Sequence, residues 1–225
     1  MSAQAGLLLK CWYALGFGFW KFIFEVLNRA EVIGRENRPG PLEDSVLILS
    51  NHISAIDPFL IATQAYTLFS PVRWHAPAKA ELFDYPVVRN ILTSWGAFPV
   101  RRGERDFEAM SRMAGLLKDG VMIIFPEGRR SRDGKLLPGR PGVGKIIWDG
   151  RPAKIIPVVV EGTQNVLRIG RILPSFGKKT RVYFGKAIDL SPFYLKEPTI
   201  EVTRQMVDQV MERLASMQDE IKFRY

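Results

Sequence analysis

The chain has 225 residues, with 32 Lys plus Arg against 23 Asp plus Glu, a formal charge of +9 and a hydrophobic content of 47%. That describes one domain of α/β size, too apolar for a disordered chain and without the Gly or Pro period of a collagen or a low-complexity linker. A single cysteine, Cys11, excludes an internal disulfide and a cysteine-based zinc site.

The first segment, Ala5–Leu27, reads AGLLLKCWYALGFGFWKFIFEVL and is interrupted by Lys10, Lys21 and Glu25. A spanning helix needs about 20 residues with few or no charges. The longest uncharged run, Cys11–Trp20, is half that. Lys10 and Lys21 lie within about 20° of each other on a helix, so both ammonium groups leave from one side. Trp12, Tyr13, Phe17, Phe19, Trp20, Phe22 and Phe24 cover the rest. Residues 1–30 are therefore expected as an amphipathic helix at the surface of an anionic bilayer, on the cytoplasmic face, peripheral or monotopic. The competing reading is an ordinary aromatic helix packed on a core. A secretory signal fits poorly, because no basic region precedes the apolar stretch and no small-residue cleavage site follows it.

Residues 31–225 alternate short apolar runs with helical stretches, which predicts an α/β fold with a mixed sheet flanked by helices. Strands are expected at Glu31–Arg35, Val46–Ser50, Val72–Ala76, Ala97–Val100, Val121–Phe125, Ile155–Val160 and Thr180–Phe184. Helices are expected at Pro58–Phe69, Pro86–Trp95, Asp106–Lys118, Gly142–Trp148 and from Ile200 to about Ile221. In the last of these, Ile200, Val207, Met211, Leu214 and Met217 mark a core-facing side.

The charge is concentrated. Arg101–Lys186 holds 19 basic and 8 acidic residues, a net of +11, and the remainder of the chain is slightly acidic. A nucleic acid, an anionic membrane, a phosphorylated substrate or a merely solvated face all fit that excess. No helix-turn-helix, zinc or RNA-binding signature accompanies it, so no nucleic acid is expected.

Three stretches carry possible chemistry. Asn51-His52 follows an apolar strand, and Asp57 stands five residues beyond the histidine, before Pro58. The carboxylate can return to the imidazole and leave one ring nitrogen free to take a proton. Asp57 also fits the N-cap of the next helix, with Pro58 at its first position, and the two roles are not exclusive. Phe125-Pro-Glu127-Gly128-Arg129-Arg130-Ser131-Arg132 leaves another strand, and Gly96-Ala-Phe-Pro-Val-Arg101-Arg102 ends a third. Guanidinium groups there match phosphate oxygens bidentately.

Other patterns lead nowhere. Gly139–Lys145 imitates a phosphate-binding loop, but Ile146 stands where Ser or Thr would hold Mg²⁺. There is no Gly-x-Ser-x-Gly elbow. His75, the second of two histidines, reads as a residue of the core or one that backs a site without touching its ligand, and no metal site is expected.

Taken in order, Asn51-His52-x4-Asp57, Gly96–Arg102, Phe125–Gly128 with Arg130-Ser131, and Ile155-Ile-Pro157-Val resemble the glycerolipid acyltransferases of the 1-acyl-glycerol-3-phosphate acyltransferase type. Lys79-Ala-Glu81-Leu-Phe83 resembles the segment such enzymes carry between the first two motifs. The resemblance implies O-acyl transfer from an acyl thioester, acyl-CoA or acyl carrier protein, to the free hydroxyl of a lysophospholipid, above all 1-acyl-glycerol-3-phosphate. His52 would be the base and Asp57 its partner. Arg102, Glu127, Gly128 and Arg130 match positions associated with the acceptor's phosphate, and Asn51, Ser131, Pro157 and Lys79 would support them. No cofactor is implied, because the thioester is a substrate. Arg101 and Arg129 depart from the usual residues, an acidic and a small hydroxyl one. Other acceptors, such as glycerol-3-phosphate or another lysolipid or glycolipid, a catalytically idle relative of the fold and, on the charge excess alone, a basic nucleic-acid-binding module stand as alternatives.

Overall fold

In chain order the strands are Ala30–Ile33 (β1), Val46–Ser50 (β2), Trp74–Lys79 (β3), Ala97–Val100 (β4), Val121–Ile124 (β5), Lys154–Glu161 (β6) and Thr180–Phe184 (β7). The α-helices are Ala3–Lys21 (α1), Asp57–Ala65 (α2), Pro86–Ser94 (α3), Phe107–Leu116 (α4), Pro141–Gly150 (α5), Thr163–Val166 (α6) and Ile200–Arg224 (α7). They are taken from a computed structural model that describes residues 3–40, 43–66, 74–101, 106–118, 120–171 and 173–224.

β2, β5 and most of β6 are apolar without alternation, and such strands are stable only when both faces are covered. They occupy the middle of a seven-stranded sheet of order β1-β7-β6-β2-β5-β3-β4. From β6 to β4 every neighbouring pair is parallel. β7 reverses against β6 and pairs parallel with β1, so the sheet is mixed. Alternate residues serve two cores, as the two-residue period of a strand requires. Leu47, Leu49, Met122, Ile124, Ile155 and Val159 pack with α4, α5 and α7. Val46, Ile48, Val121, Ile123, Ile156 and Val158 pack with α2 and Phe24.

Several boundaries move. The helix expected to reach Phe69 ends at Ala65, and residues 67–69 lie outside the described ones. The strand expected at Val72–Ala76 is described from Trp74 and runs on to Lys79. His75 is half-buried on β3. On α7, Val207, Leu214 and Met217 are buried as the spacing predicts, but Ile200 is exposed because it opens the helix. The glycine-rich stretch that imitates a phosphate loop instead starts α5. A Cβ on Gly144 would sit 2.0 Å from the Thr203 carbonyl oxygen, so its role is close packing of α5 on α7.

The sheet is tied to α7 by the Tyr183 hydroxyl, which donates to Glu220 Oε2 at 2.7 Å, while Arg213 reaches Oε1 at 2.9 Å. The Tyr183 hydrogen bond, joined by Arg213, holds the Glu220 carboxyl below its ordinary value of 4.5. A lowered folded value stabilises the fold above that pH and ceases to do so as pH falls through the folded value. Tyr183→Phe is expected to lose about 1 kcal/mol at pH 7, solvent screening included, and the gap from wild type should be smaller at about pH 3 than at pH 7. Urea titrations at the two pH values measure it.

α1 continues into a π-helical turn, Phe22–Val26, closed by Leu27 N–H donating to the Phe22 carbonyl at 3.1 Å. One side packs on the domain. Trp20 stacks on Phe59 of α2 with centroids 4.4 Å apart, Trp12 Nε1 donates to Ser94 Oγ at 2.9 Å, and the Tyr13 hydroxyl donates to the Ser94 carbonyl. The core-packed reading therefore holds for that side only. Leu8, Trp12, Leu15, Phe19, Phe22 and Val26 recur at three- and four-residue spacing and are exposed. α3 buries none of its residues and exposes Val87, Val88 and Ile91. Among the described residues no helix is long and apolar enough to cross a membrane.

Candidate active site

Three parallel neighbours, β6, β2 and β5, end side by side, so the loops after them meet at one edge of the sheet. In open α/β sheets that carboxyl edge is where ligands bind. Asn51 continues the ladder after β2 stops. Its Nδ2 donates to the Val160 carbonyl at 3.0 Å and its Oδ1 accepts from Val160 N–H at 2.8 Å, as a backbone group would.

The next residue, His52, is buried and held on every side. Its N–H donates to Glu127 Oε1 at 2.7 Å, its carbonyl accepts from Ser131 N–H at 2.7 Å, and its ring stacks on Phe125 at 4.0 Å and 15°. Nδ1 lies 2.8 Å from Asp57 Oδ2. The same Oδ2 accepts from Ile53 N–H at 2.7 Å and Ser54 N–H at 2.8 Å, and Oδ1 accepts from the Thr163 hydroxyl at 2.5 Å. A carboxylate surrounded by donors has no proton to offer, so Nδ1 carries the hydrogen and Nε2 keeps its lone pair.

Asp57 is not the N-cap. Ile56 holds that position without a side-chain bond, and Asp57 and Pro58 are the first two residues of α2. The Asp57 carboxylate turns backward onto the N–H groups of residues 53 and 54 instead of forward into the helix. The loop is thereby closed on itself, and the imidazole is presented at its start.

Glu127 also has a different place from the one expected of it. It is buried, with Oε1 on His52 N–H and Oε2 accepting from Leu137 N–H at 2.8 Å. Both oxygens are thus occupied by backbone, and a second anion beside them would be repelled. Glu127 fastens the loop after β2 to the loop after β5 and does not face a phosphate. Burial pushes its carboxyl above the ordinary range, and the two backbone donors, Leu137 and His52, offset this only in part. Gly128 follows at φ +68, a left-handed turn that spares the backbone a Cβ 3.2 Å from Arg140 Cγ. The turn brings Ser131, itself buried and donating to Asp133 Oδ1 at 3.0 Å, under the His52 carbonyl. Arg130, half-buried, is one residue from that contact, and Arg129 is exposed beside it.

The other expected residues are more distant. Lys79 ends β3, two strands from β2, and Arg101 follows β4, three strands away, or about 10 and 14 Å across the sheet. Lys79 is exposed and paired with Glu81 at 2.8 Å. Arg102 lies outside the described residues. Pro157, expected among the supporting residues, lies in a strand and not in one of the loops. It is buried within β6 opposite Leu49, where its carbonyl accepts from Gly185 N–H at 2.9 Å. Glu161 pairs with Arg181 at 3.3 Å. Among the described residues no group of His, Cys, Asp and Glu is arranged to hold a metal ion.

Sequence reasoning missed Thr163 and Ser54 and gave Phe125 no role of its own. Thr163 is fully buried on Asp57, and the Ser54 hydroxyl donates to the Leu167 carbonyl at 2.8 Å. The available signal for Thr163 was a hydroxyl residue just past a buried strand, where a side chain meets the ends of its neighbours.

Known proteins share this arrangement of segments. The chain is 28% identical over 148 residues to the chloroplastic 1-acyl-sn-glycerol-3-phosphate acyltransferase BAT2 of Brassica napus, covering 63% of this chain and 40% of that protein. It is 29% identical over 191 residues to a 1-acyl-sn-glycerol-3-phosphate acyltransferase of Borreliella burgdorferi, covering 83% and 72%. The chain thus spans only about two fifths of the length of the plant relative. The crystal structure of the 1-acyl-sn-glycerophosphate (LPA) acyltransferase PlsC from Thermotoga maritima superposes with a TM-score of 0.66 at 25% identity, over 96% of this chain and 80% of that one. The acyltransferase family profile matches residues 29–161, the stretch from the start of β1 to the end of β6 that builds the His52 loop and its clamps, and the chain belongs to that family.

Proposed function

We propose that the protein transfers a fatty acyl group from an acyl thioester to the free hydroxyl of a lysophospholipid, 1-acyl-glycerol-3-phosphate, at the cytoplasmic surface of a membrane. The observation that carries the reading is the His52–Asp57 pair at 2.8 Å, with Nε2 lacking a hydrogen-bond partner among the described residues. Nε2 takes the proton of the acceptor hydroxyl as its oxygen attacks the thioester carbonyl. The tetrahedral intermediate expels thiolate, which the imidazolium protonates, leaving an ester and a free thiol. A thiolate leaves readily, so no covalent acyl-enzyme and no separate strong acid are needed. Asp57 favours the imidazolium and fixes the tautomer. Arg130, on the loop that clamps His52, and Arg102 bind the acceptor's phosphate and turn its hydroxyl toward Nε2. No cofactor takes part.

Residues 1–30 form the membrane-associating part and residues 31–225 the acyltransferase domain. The exposed stripe from Leu8 to Val26 supports the first assignment, with Trp and Phe side chains suited to the headgroup boundary. The lone cysteine fits a reducing compartment.

Mass spectrometry of the lipids made from one labelled acyl-CoA and a panel of acceptors tests the assignment. Phosphatidic acid from 1-acyl-glycerol-3-phosphate is the expected product, and exclusive use of an unphosphorylated acceptor would overturn it. Arg130→Ala should raise KM for the phosphorylated acceptor about 10- to 100-fold, the worth of a charge-assisted hydrogen bond, with the donor KM unchanged. A change in the donor KM alone contradicts the phosphate role.

Thr163→Val should lower kcat about tenfold by leaving Asp57 Oδ1 buried with one partner fewer, and Thr163→Ser should restore it. Steady-state rates of the two variants decide the matter, and equal loss in both would exclude a role for the hydroxyl.

A further inference from the structure

Residues 167–179, between β6 and β7, read LRIGRILPSFGKK, with four basic residues and no acidic one. Three of their large apolar side chains stand in solvent, with Leu173 80%, Phe176 56% and Ile169 45% exposed. Arg168, Arg171 and Lys178 are exposed among them. A loop serving only as a connection has no physical reason to hold out Leu, Phe and Ile between cations, since nothing in the core covers them.

The segment is anchored at both ends. At its start, the Leu167 carbonyl accepts from the Ser54 hydroxyl at 2.8 Å, inside the His52–Asp57 loop. Ser175 N–H donates to the Val166 carbonyl at 2.7 Å. At its far end, Gly177 N–H donates to the Leu27 carbonyl at 2.7 Å, and Lys178 N–H to Asn28 Oδ1 at 3.1 Å. The loop therefore joins the end of the amino-terminal helical segment to the loop that carries the base. Phe176 and Val26, each one residue from the Gly177–Leu27 bond, are both exposed, so the apolar surface runs on from one element to the other.

We propose that residues 167–179 are a second bilayer-contacting element, distinct from the amino-terminal helix, that docks on an anionic lipid surface. Ile169, Leu173 and Phe176 enter the headgroup boundary while Arg168, Arg171 and Lys178 meet lipid phosphates. The alternation of cations with large apolar groups, without a single carboxylate, fits a phospholipid surface better than a protein partner. Because Leu167 is bonded to Ser54, docking sets the His52 loop at a fixed height over the lipid, where an acceptor keeping its chain in the bilayer presents its hydroxyl. The inference rests on the membrane-surface reading above.

Sedimentation of the full chain with vesicles of pure phosphatidylcholine, and of phosphatidylcholine with equimolar phosphatidylglycerol, tests it. Leu173→Asp with Phe176→Asp should lower partitioning at least about tenfold on both vesicles. Arg168→Glu with Arg171→Glu should lower it on the anionic vesicles alone. Both variants should acylate a short-chain, water-soluble acceptor at the wild-type rate, which also establishes that they fold. If both variants partition like wild type while Leu15→Asp with Phe19→Asp releases the chain, the amino-terminal helix holds the membrane unaided and this inference is overturned. If the wild-type chain binds neither vesicle, the membrane reading itself falls and this one falls with it.

Discussion

His52→Ala is expected to lower acyl transfer by at least about 10²–10⁴-fold, the usual contribution of a positioned base, and to leave the fold in place. The separation of the two effects follows from how the residue is held. Its backbone N–H and carbonyl are bonded to Glu127 and Ser131, and neither bond uses the imidazole. Asp57 keeps Ile53, Ser54 and Thr163 as donors when the ring is gone, so no carboxylate is stranded. The structural losses are the stack on Phe125, about 1 kcal/mol, and the Nδ1 hydrogen bond to Asp57, about 1.5–3 kcal/mol. Thiol release from acyl-CoA in the presence of acceptor measures the rate, and thermal unfolding measures the fold. A variant that releases thiol at the wild-type rate would remove His52 from the chemistry.

Asp57→Asn should be almost as damaging to turnover, about 10³–10⁴-fold, with little change in stability. The order of magnitude is that of a carboxylate-to-amide change beside a catalytic histidine in hydrolases. An asparagine can keep its oxygen on Ile53 and Ser54 and turn its amide toward Thr163, whose hydroxyl accepts as well as donates. What disappears is the negative charge that favours the imidazolium. Asp57→Ala differs, because it also orphans two buried backbone donors at about 1–3 kcal/mol each. Parallel kinetics and melting curves for the two variants separate charge from scaffold. Retention of a tenth of the activity by Asp57→Asn would mean that the carboxylate is a loop closure and little else.

The same two variants bear on how much of the site could be read from the chain. His52 and Asp57 were legible because they lie five residues apart, within one loop, where spacing controls geometry. Glu127 was misplaced because its partner, the His52 N–H, lies 75 residues away, and a Pro-Glu-Gly turn among arginines looks like phosphate chemistry until the pairing is seen. Thr163 reaches Asp57 across 106 residues, and a hydroxyl just past a buried strand does not by itself name its partner. Asp57 was open as cap, catalytic partner or both, and the cap role falls because its donors are the N–H groups of the loop behind it, not those of the helix ahead.

The sequence by itself determined the strands that must be buried on both faces, the order of the loops that follow them and the residue types those loops carry. Non-alternating runs such as Val46–Ser50 and Val121–Ile124 allow no exposed face, and that constraint is local. Only the tertiary structure decided that β6, β2 and β5 are neighbours, and therefore that Thr163, His52 and Glu127 converge. Strand order is a property of the assembled sheet, set by which faces the helices cover, and no stretch of chain short enough to carry a spacing rule contains it. The amino-terminal helix shows the same division: its aromatic richness was plain in the residues, but the docking of Trp20 on Phe59 sets which side packs and which is left open.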